Sequence, residues 1–319
     1  MYYLIILISL FLAELLYFRI ADKYNIIDKP NQRSSHTRIT LLGGGIIFYL
    51  GALAFFFTNH FEYPWFIFGL TVITIISFLD DIRPVSQKLR LLLHFTGIAL
   101  LLCQWGMLEL SWSWWYIIVA LIFCTGVINA YNFMDGINGI TGGYSLVVLL
   151  SLAYINEFVV IFTNSHLIYI LILAVLVFNF FNFRKRAKCF AGDVGSVSMA
   201  FILVFLIGQL ILTTKDFSYI ILLAIYGVDS ILTIIHRLIL RENIGLPHRK
   251  HLYQLMANEL KISHVVVALV YMVIQALIVV VFVLVHPHGY GYWYLLGTIL
   301  TLSILYICFV RKYFHLHVK

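Results

Sequence analysis

Apolar residues gather along this chain in blocks of 16 to 24, each long enough to cross a bilayer core of about 30 Å as a helix. Eleven blocks stand out, at roughly 2–20, 41–58, 64–79, 90–106, 114–130, 139–161, 166–182, 195–213, 217–236, 263–285 and 291–310. The weakest boundary lies near 157–166, where Asn156, Glu157 and Asn164 interrupt a long apolar stretch, so ten or eleven spans fit the pattern. The expected fold is an all-α polytopic membrane protein of about 10–11 transmembrane helices, one domain over 1–319, with its active site on the cytoplasmic face. The first block lacks a basic leader and a small-residue cleavage site, and reads as a retained helix.

Composition agrees. With 62% hydrophobic and 11% charged residues, and a mean hydropathy of +0.99, a soluble protein is excluded. The 21 Lys and Arg residues divide very unevenly: twenty fall on the side where odd-numbered spans end, and Lys215 alone falls on the other. That bias makes the basic side cytoplasmic, the N-terminus external and the C-terminus internal. Topology and attraction to anionic headgroups account for most of these charges, including the net +7. Cys103, Cys124, Cys189 and Cys308 show no metal spacing and read as packing residues. No linker, low-complexity stretch or appended soluble domain is visible, nor the Gly/Pro-broken inverted repeats of many transporters.

The long polar segments all lie on the basic side, and they carry the chemistry. Asp80 and Asp81 end the third span, where the helix dipole disfavours two carboxylates, so nothing structural is expected to reward the pair beyond a polar helix stop. Lys88 and Arg90 follow, either to receive a lipid phosphate or to mark the membrane edge. In NAYNFMDGINGITGG, Asn129, Asn132, Asp135 and Asn138 recur every three residues and are expected to form a row of oxygen ligands on one helical face, against the plainer reading of an Asn-rich turn. In FAGDVGS, Asp193 is either a ligand or a simple N-cap, and Phe190 is a candidate to stack on a base. Asp229, inside the ninth span, shares a face with His236 and Arg237 and needs an interior partner, structural or catalytic. PHRKHLYQ offers Arg249 for forked diphosphate contacts and His248 and His251 for phosphate contacts or metal ligation, although HxxH alone is a weak signal. Glu14, His94 and Glu157 are solitary and read as structural.

In this order, KPNQRSSHTR…GGG, FLDD with Lys88, NAYNFMDGING, FAGDVGS, Asp229 with His236-Arg237, and HRKHLYQ resemble the polyprenyl-phosphate N-acetylhexosamine-1-phosphate transferases. These are relatives of phospho-MurNAc-pentapeptide transferase, and RSSH and HRKHLYQ most resemble the branch that initiates O-antigen. The resemblance covers nearly the whole chain. It implies an enzyme of the bacterial plasma membrane that joins HexNAc-1-phosphate from a UDP-HexNAc, GlcNAc or a 6-deoxy sugar, to undecaprenyl phosphate and releases UMP. By similarity Asp193 and Asn132 hold Mg²⁺ (Mn²⁺ as alternative), Phe190 faces uracil, and Asp80, Asp81 and Lys88 serve the lipid phosphate. Arg249, His248 and His251 serve the sugar diphosphate, and Asp135 and Asn129 join the site. A general-base role for Asp80 is hard to justify, because a phosphate monoester with its second pKa near 6 is already mostly dianionic. Membrane lipids are expected partners, nucleic acid is not, and a homodimer is compatible with the family.

Three positions depart from the family pattern. Asn138 stands where many members have a second Asp, FRKRAK replaces a Pro-rich approach near Asn182, and ITLLGGG leaves Leu42 without a positive charge. A transporter of lipid-linked intermediates and an inactive lipid-binding homologue are the competing readings. Intramembrane ionisable residues would favour the first, but here the charges sit at one face.

Overall fold

The computed structural model describes residues 1–30, 38–108, 113–244 and 248–316. The RSSH motif and Pro247 therefore lie outside the described residues. All eleven apolar blocks are helical. They correspond to α1 (Tyr2–Lys23), α2 (Ile46–Thr58), α3 (Pro64–Ile82), α4 (Gln87–Gln104), α5 (Trp114–Met134), α6 (Ile140–Phe158), α7 (Ser165–Asn182), α8 (Gly192–Thr214), α9 (Ala224–Ile239, entered through a 3-10 segment Phe217–Leu223), α11 (His264–Val285) and α12 (Gly291–Tyr313); α10 is a single turn at Leu252–Gln254. Among the described residues nine of these are long and apolar enough to span a membrane. The other two are α2, only 13 residues long, and α4, whose first turn is diluted by Gln87, Lys88 and Arg90. This is an all-α polytopic membrane protein.

Helix α8 is apolar on every face, the mark of a helix without a lipid or water side. Accordingly 83% of its apolar window is buried, against 22% for α5 and 17% for α12, whose outer faces carry the apolar side chains a lipid surface requires. Helices α2, α3 and α5 pack around it. Its first turn meets the start of α2 with almost no side chain between them: a Cβ on Gly45 would fall 2.2 Å from the Gly195 Cα. That contact is possible only with glycine on both sides. It is reinforced by Gly45 N–H donating to the Ala191 carbonyl and Gly44 N–H to the Phe190 carbonyl. The remaining sheet is two residues deep, Ile27–Asp28 paired antiparallel with Thr40–Leu41.

Near 157–166 the chain turns instead of continuing as one helix. Asn156, buried at the end of α6, accepts from Phe162 N–H (2.9 Å) and Thr163 N–H (3.1 Å) and donates to the Thr163 carbonyl and Ser165 hydroxyl. One side chain thus satisfies the backbone of the turn into α7. Helices α1, α3, α5, α7 and α9 end, and α2, α4, α6, α8 and α11 begin, on the face that carries the motifs. Asn156→Ala would leave two buried N–H groups unpaired, at about 1–3 kcal/mol each. We expect a lower melting temperature in detergent with unchanged turnover per folded molecule, because this turn lies at the face opposite the motifs; unchanged melting would contradict the role given to Asn156.

Candidate active site

Asp81 is the hub of the site. Its two carboxylate oxygens accept the backbone N–H groups of Asp193 (2.9 Å) and Val194 (3.0 Å), the first free donors of α8. A carboxylate at a helix N-terminus offsets the positive end of the dipole. The adjacent carboxylates at the end of α3 therefore do have a structural reward, contrary to the sequence expectation: Asp81 caps a different helix. Asp193 itself is not the N-cap. It sits in the first turn of α8 with its side chain left for other partners. Gly192 makes the approach possible, with φ +72° and no Cβ, where a Cβ would fall 2.5 Å from Asp81 Oδ2.

Asp80 points the other way. It accepts Val85 N–H at 2.7 Å and pairs with Arg90 at 3.0 Å, and Arg90 also lies 3.7 Å from Asp193. The cation inside the acidic cluster is thus Arg90, which the sequence left, with Lys88, as either a lipid-phosphate or a membrane-edge residue. Lys88, two residues earlier, is exposed on the first turn of α4. Two residues along a helix rotate a side chain by about 200°, so only one of the pair faces Asp80.

The expected row of four oxygen ligands does not form. Helix α5 ends at Met134 and Asp135 leaves the helical path at φ −83°, ψ 64°. Within the helix, steps of three drift by about 60°, so Asn132 and Asn129 diverge. Asn132 faces the acidic pocket, its Oδ1 oriented by the Ser196 hydroxyl at 2.9 Å. Asn129 lines a separate apolar groove. Asp135 accepts from the Thr141 hydroxyl at 2.6 Å. Desolvation, with a further contribution from the Asp193 charge, pushes the Asp135 carboxyl up to about 7. Asn138 donates to the Arg184 carbonyl at 2.9 Å and keeps a buried Oδ1 without a hydrogen-bond partner among the described residues. Asn182 is spent on the backbone, accepting Gly139 N–H and donating to the Cys189 carbonyl.

These elements enclose a pocket of about 330 Å³ in which Asp81, Asn132, Asp135, Phe190 and Asp193 converge from three separate segments. Phe190 is fixed at its wall by N–H donation to the Leu41 carbonyl (2.8 Å). Asp28, Leu42, Gln254 and His264 also line it, and of these only Leu42 and Gln254 lie in or beside motifs singled out from sequence. Among the described residues no three His, Cys, Asp or Glu side chains converge as a ready metal cage. Mg²⁺ needs none, since it is usually held by one or two protein oxygens, waters and substrate phosphates. Asp193 with Asn132 fits that donor set, beside carboxylates with which Arg90 is, among the described residues, the cation in contact.

The HRKHLYQ loop lies on the other side of the α5 end. Tyr253 hydroxyl donates to the Phe133 carbonyl at 2.9 Å, and the His248 and His251 rings stand about 6 Å from Phe133. None of His248, Arg249 or His251 lines the acidic pocket. Burial, with the neighbouring His251, pushes the His248 imidazole down to about 3, so it is neutral near pH 7. Arg249 approaches Glu259 at 3.8 Å. His251 is buried and its Nδ1 lies 3.3 Å from Asp229, which is thus the interior partner that Asp229 required, in place of His236. His236 packs on Phe314, and Arg237 serves the loop, bonding Glu242 and the Asn243 and Ile244 carbonyls. Between α5, α9 and α12 runs an apolar groove of about 610 Å³, which ends at Phe133 and Asn129.

Gly192→Ala would place a left-handed residue, at about 1–2 kcal/mol, against the Asp81 carboxylate. We expect it to lower the melting temperature and to abolish whatever activity depends on Asp193; a variant of wild-type stability and activity would contradict the capping geometry.

A family model described as glycosyl transferase family 4 matches residues 63–211, which take in α3 to α7, most of α8 and the FLDD, NAYNFMDGING and FAGDVGS segments. The chain is 27% identical over 259 residues, 74% of its length, to a probable undecaprenyl-phosphate N-acetylglucosaminyl 1-phosphate transferase of Bacillus subtilis, covering 70% of that protein. It is 29% identical over 223 residues, 63% of its length, to the undecaprenyl-phosphate alpha-N-acetylglucosaminyl 1-phosphate transferase of Escherichia coli K12, covering 60% of it. The Yersinia pestis protein of that name is also 29% identical, over 60% of this chain and 57% of its own length. With FLDD, NAYNFMDGING and FAGDVGS gathered around one pocket, these matches support a likeness to the polyprenyl-phosphate N-acetylhexosamine-1-phosphate transferases, with residues 63–211 similar to glycosyl transferase family 4.

Proposed function

We propose that the protein transfers N-acetylhexosamine-1-phosphate from a UDP-sugar to undecaprenyl phosphate, giving the lipid-linked diphosphosugar and UMP at the cytoplasmic face of a bacterial plasma membrane. The observation that carries this reading is the adjacency of two unlike spaces. An acidic pocket suited to a cation-bound diphosphate lies on one side of the α5 end, and an apolar groove suited to a polyprenyl chain lies on the other. UDP-GlcNAc is the first donor to test, from the names of the relatives. UDP-FucNAc and UDP-QuiNAc follow from the resemblance to O-antigen initiators.

In the reaction a lipid-phosphate oxygen attacks the sugar-side phosphorus, the new P–O bond forms, and the bond to the UMP oxygen breaks. Such transfers depend on positioning and charge neutralisation. Phe190 offers a face for uracil. Asp193 and Asn132 would hold Mg²⁺, which when bound neutralises diphosphate charge. Asp81 keeps Asp193 in place, while Asp80 orients Arg90 toward the anionic centre. Lys88 lies at the membrane edge, where it can meet the lipid phosphate during approach. His248, through the ring nitrogen not engaged by Lys250 N–H, and Arg249 supply donors on the lipid side.

The test is UMP release by the purified protein with undecaprenyl phosphate, a divalent cation and a panel of UDP-HexNAc donors. UMP formed only with lipid and metal together is expected; no UMP with any donor would overturn the transferase reading. Asp193→Asn should lower turnover by at least about 10³-fold with melting preserved, in line with losing a preorganised charge at the reacting centre; wild-type turnover would remove Asp193 from the metal site. Asp135 gives a pH prediction. Because its folded pKa is raised to about 7 from 3.8, the folded state keeps a proton that the unfolded chain has lost. Stability of the metal-free protein should therefore fall as pH rises from about 4 to about 7, then level off. Mg²⁺ offsets the carboxylate charge, so its stabilising effect on melting should be greater at pH 8 than at pH 5; equal effects would contradict this.

A further inference from the structure

Two of the three departures from the family pattern touch each other in the structure. Asn138, on the turn after α5, is buried, and its side-chain amide donates to the carbonyls of Arg184 (2.9 Å) and Lys185 (3.4 Å), both inside FRKRAK. Turned over, the amide would set its oxygen against two others, so those carbonyls fix its direction. A carboxylate has no hydrogen to give there. The aspartate of the family pattern could not hold this loop. Asn138 Oδ1 is itself fully buried, with no hydrogen-bond partner among the described residues, and is not offered to a substrate.

The loop takes its shape from backbone donors that proline lacks. Arg184 N–H donates to the Asn182 carbonyl (2.7 Å) and Lys188 N–H to the Phe181 carbonyl (3.0 Å). The Arg184 side chain folds back on α7, with Nε donating to the Phe180 carbonyl at 2.6 Å and the guanidinium 4.7 Å from the Phe180 ring centroid, while its carbonyl serves Asn138. Gly139 extends the contact. Its N–H donates to Asn182 Oδ1 at 2.7 Å, and Asn182 Nδ2 donates in turn to the Cys189 carbonyl at 2.8 Å, one residue before Phe190. At φ +84°, a Cβ on Gly139 would fall 2.4 Å from the Phe183 ring, so backbone packs directly on ring. The turn that carries Asp135 and the segment that carries Phe190 are two walls of the acidic pocket, and these bonds tie one to the other.

We propose that Asn138 is a positioning residue for the donor nucleotide: its amide latches the Asp135 turn to the loop that presents Phe190, and so sets the spacing of the two pocket walls. Asn in place of Asp and FRKRAK in place of a Pro-rich approach are then one adaptation, each requiring the other. The inference rests on the transferase reading, which supplies the nucleotide.

The experiment compares Asn138→Asp and Asn138→Ala with the wild type in the UMP-release assay, with UMP binding at equilibrium and melting in detergent alongside. Asn138→Asp restores the residue of the family pattern at nearly the same size, yet it should do harm. The donor KM and the UMP Kd should rise by about tenfold, the scale of one buried hydrogen bond lost, with kcat and the lipid KM within about threefold of wild type. Asn138→Ala, which removes the donor without adding a charge, should be no worse than Asn138→Asp. A residue that acts through its oxygen, on a metal or a proton, gives the opposite order: Asn138→Asp at least as active as wild type and Asn138→Ala the most damaged. That order would overturn the proposal, as would a loss confined to kcat. Lys185→Ala should leave the donor KM unchanged, because the bond goes to its carbonyl; a rise equal to that of Asn138→Ala would place the contact in the side chain and overturn the latch. All these outcomes leave the transferase reading standing, whereas a wild type that releases no UMP with any donor would bring down both. If Asn138→Asp does not fold, Asn138→Ala decides alone: a raised donor KM with kcat held supports the latch, and an unchanged donor KM overturns it.

Discussion

The arrangement of the polar face depends on one carboxylate. Asp81 closes the N-terminus of α8, the most deeply buried helix, with two hydrogen bonds from the end of α3. The first free N–H groups of a helix have no partner within it, and here a cap from a neighbouring helix satisfies two of them. The cap also determines where Asp193 stands, because the N–H it binds belongs to that residue. Gly192, Gly45 and Gly195 follow from the same requirement: the backbone must come close enough for a short side chain to bridge two helices. Structure and site are therefore coupled at Asp81, and a substitution there changes both together.

The second constraint is the meeting of unlike environments at the end of α5. This helix lines both the apolar groove, from Ile122 to Phe133, and the acidic pocket, at Asn132. Its last residues separate them: Asn132 looks into the carboxylates, Phe133 toward the histidine loop, and Asn129 into the groove. Charged diphosphate and polyprenyl chain want opposite solvents, and a reaction between them needs those solvents within a few ångströms. Arg90, leaning between Asp80 and Asp193, is among the described residues the one positive charge in contact with that acidic cluster. The carboxylates thus carry an excess of negative charge, which a divalent cation would relieve.

Much of this was legible in the chain. The apolar blocks coincide with the helices, because bilayer thickness sets their length whatever the tertiary fold. The convergence of Asp81, Asn132, Asp135, Phe190 and Asp193 was legible too, because they lie in polar segments all confined to one face. What pattern alone did not reveal were relations at long range. The cap from Asp81 joins residues 112 positions apart, and the Asp229–His251 pair joins two elements whose packing only tertiary structure decides. Rotation about helices accounts for the rest. Arg90 rather than Lys88 turns inward, and Asn129 leaves the ligand row, since neither a two-residue nor a three-residue step returns to the same face of a 3.6-residue helix. The ambiguous segment at 157–166 was settled by one side chain, Asn156, whose hydrogen bonds permit a turn that hydropathy could not distinguish from a longer span.

The central claim is that the nucleotide end of the donor occupies the acidic pocket against Phe190 and Asp193. Photo-crosslinking with a UDP-GlcNAc carrying an azide on uracil, followed by peptide mapping, tests it most directly. The account predicts divalent-dependent labelling of the peptide that contains Phe190, competed by UMP and lost in Asp193→Asn. Label confined to the opposite face of the bundle, or to the apolar groove irrespective of metal, would contradict it.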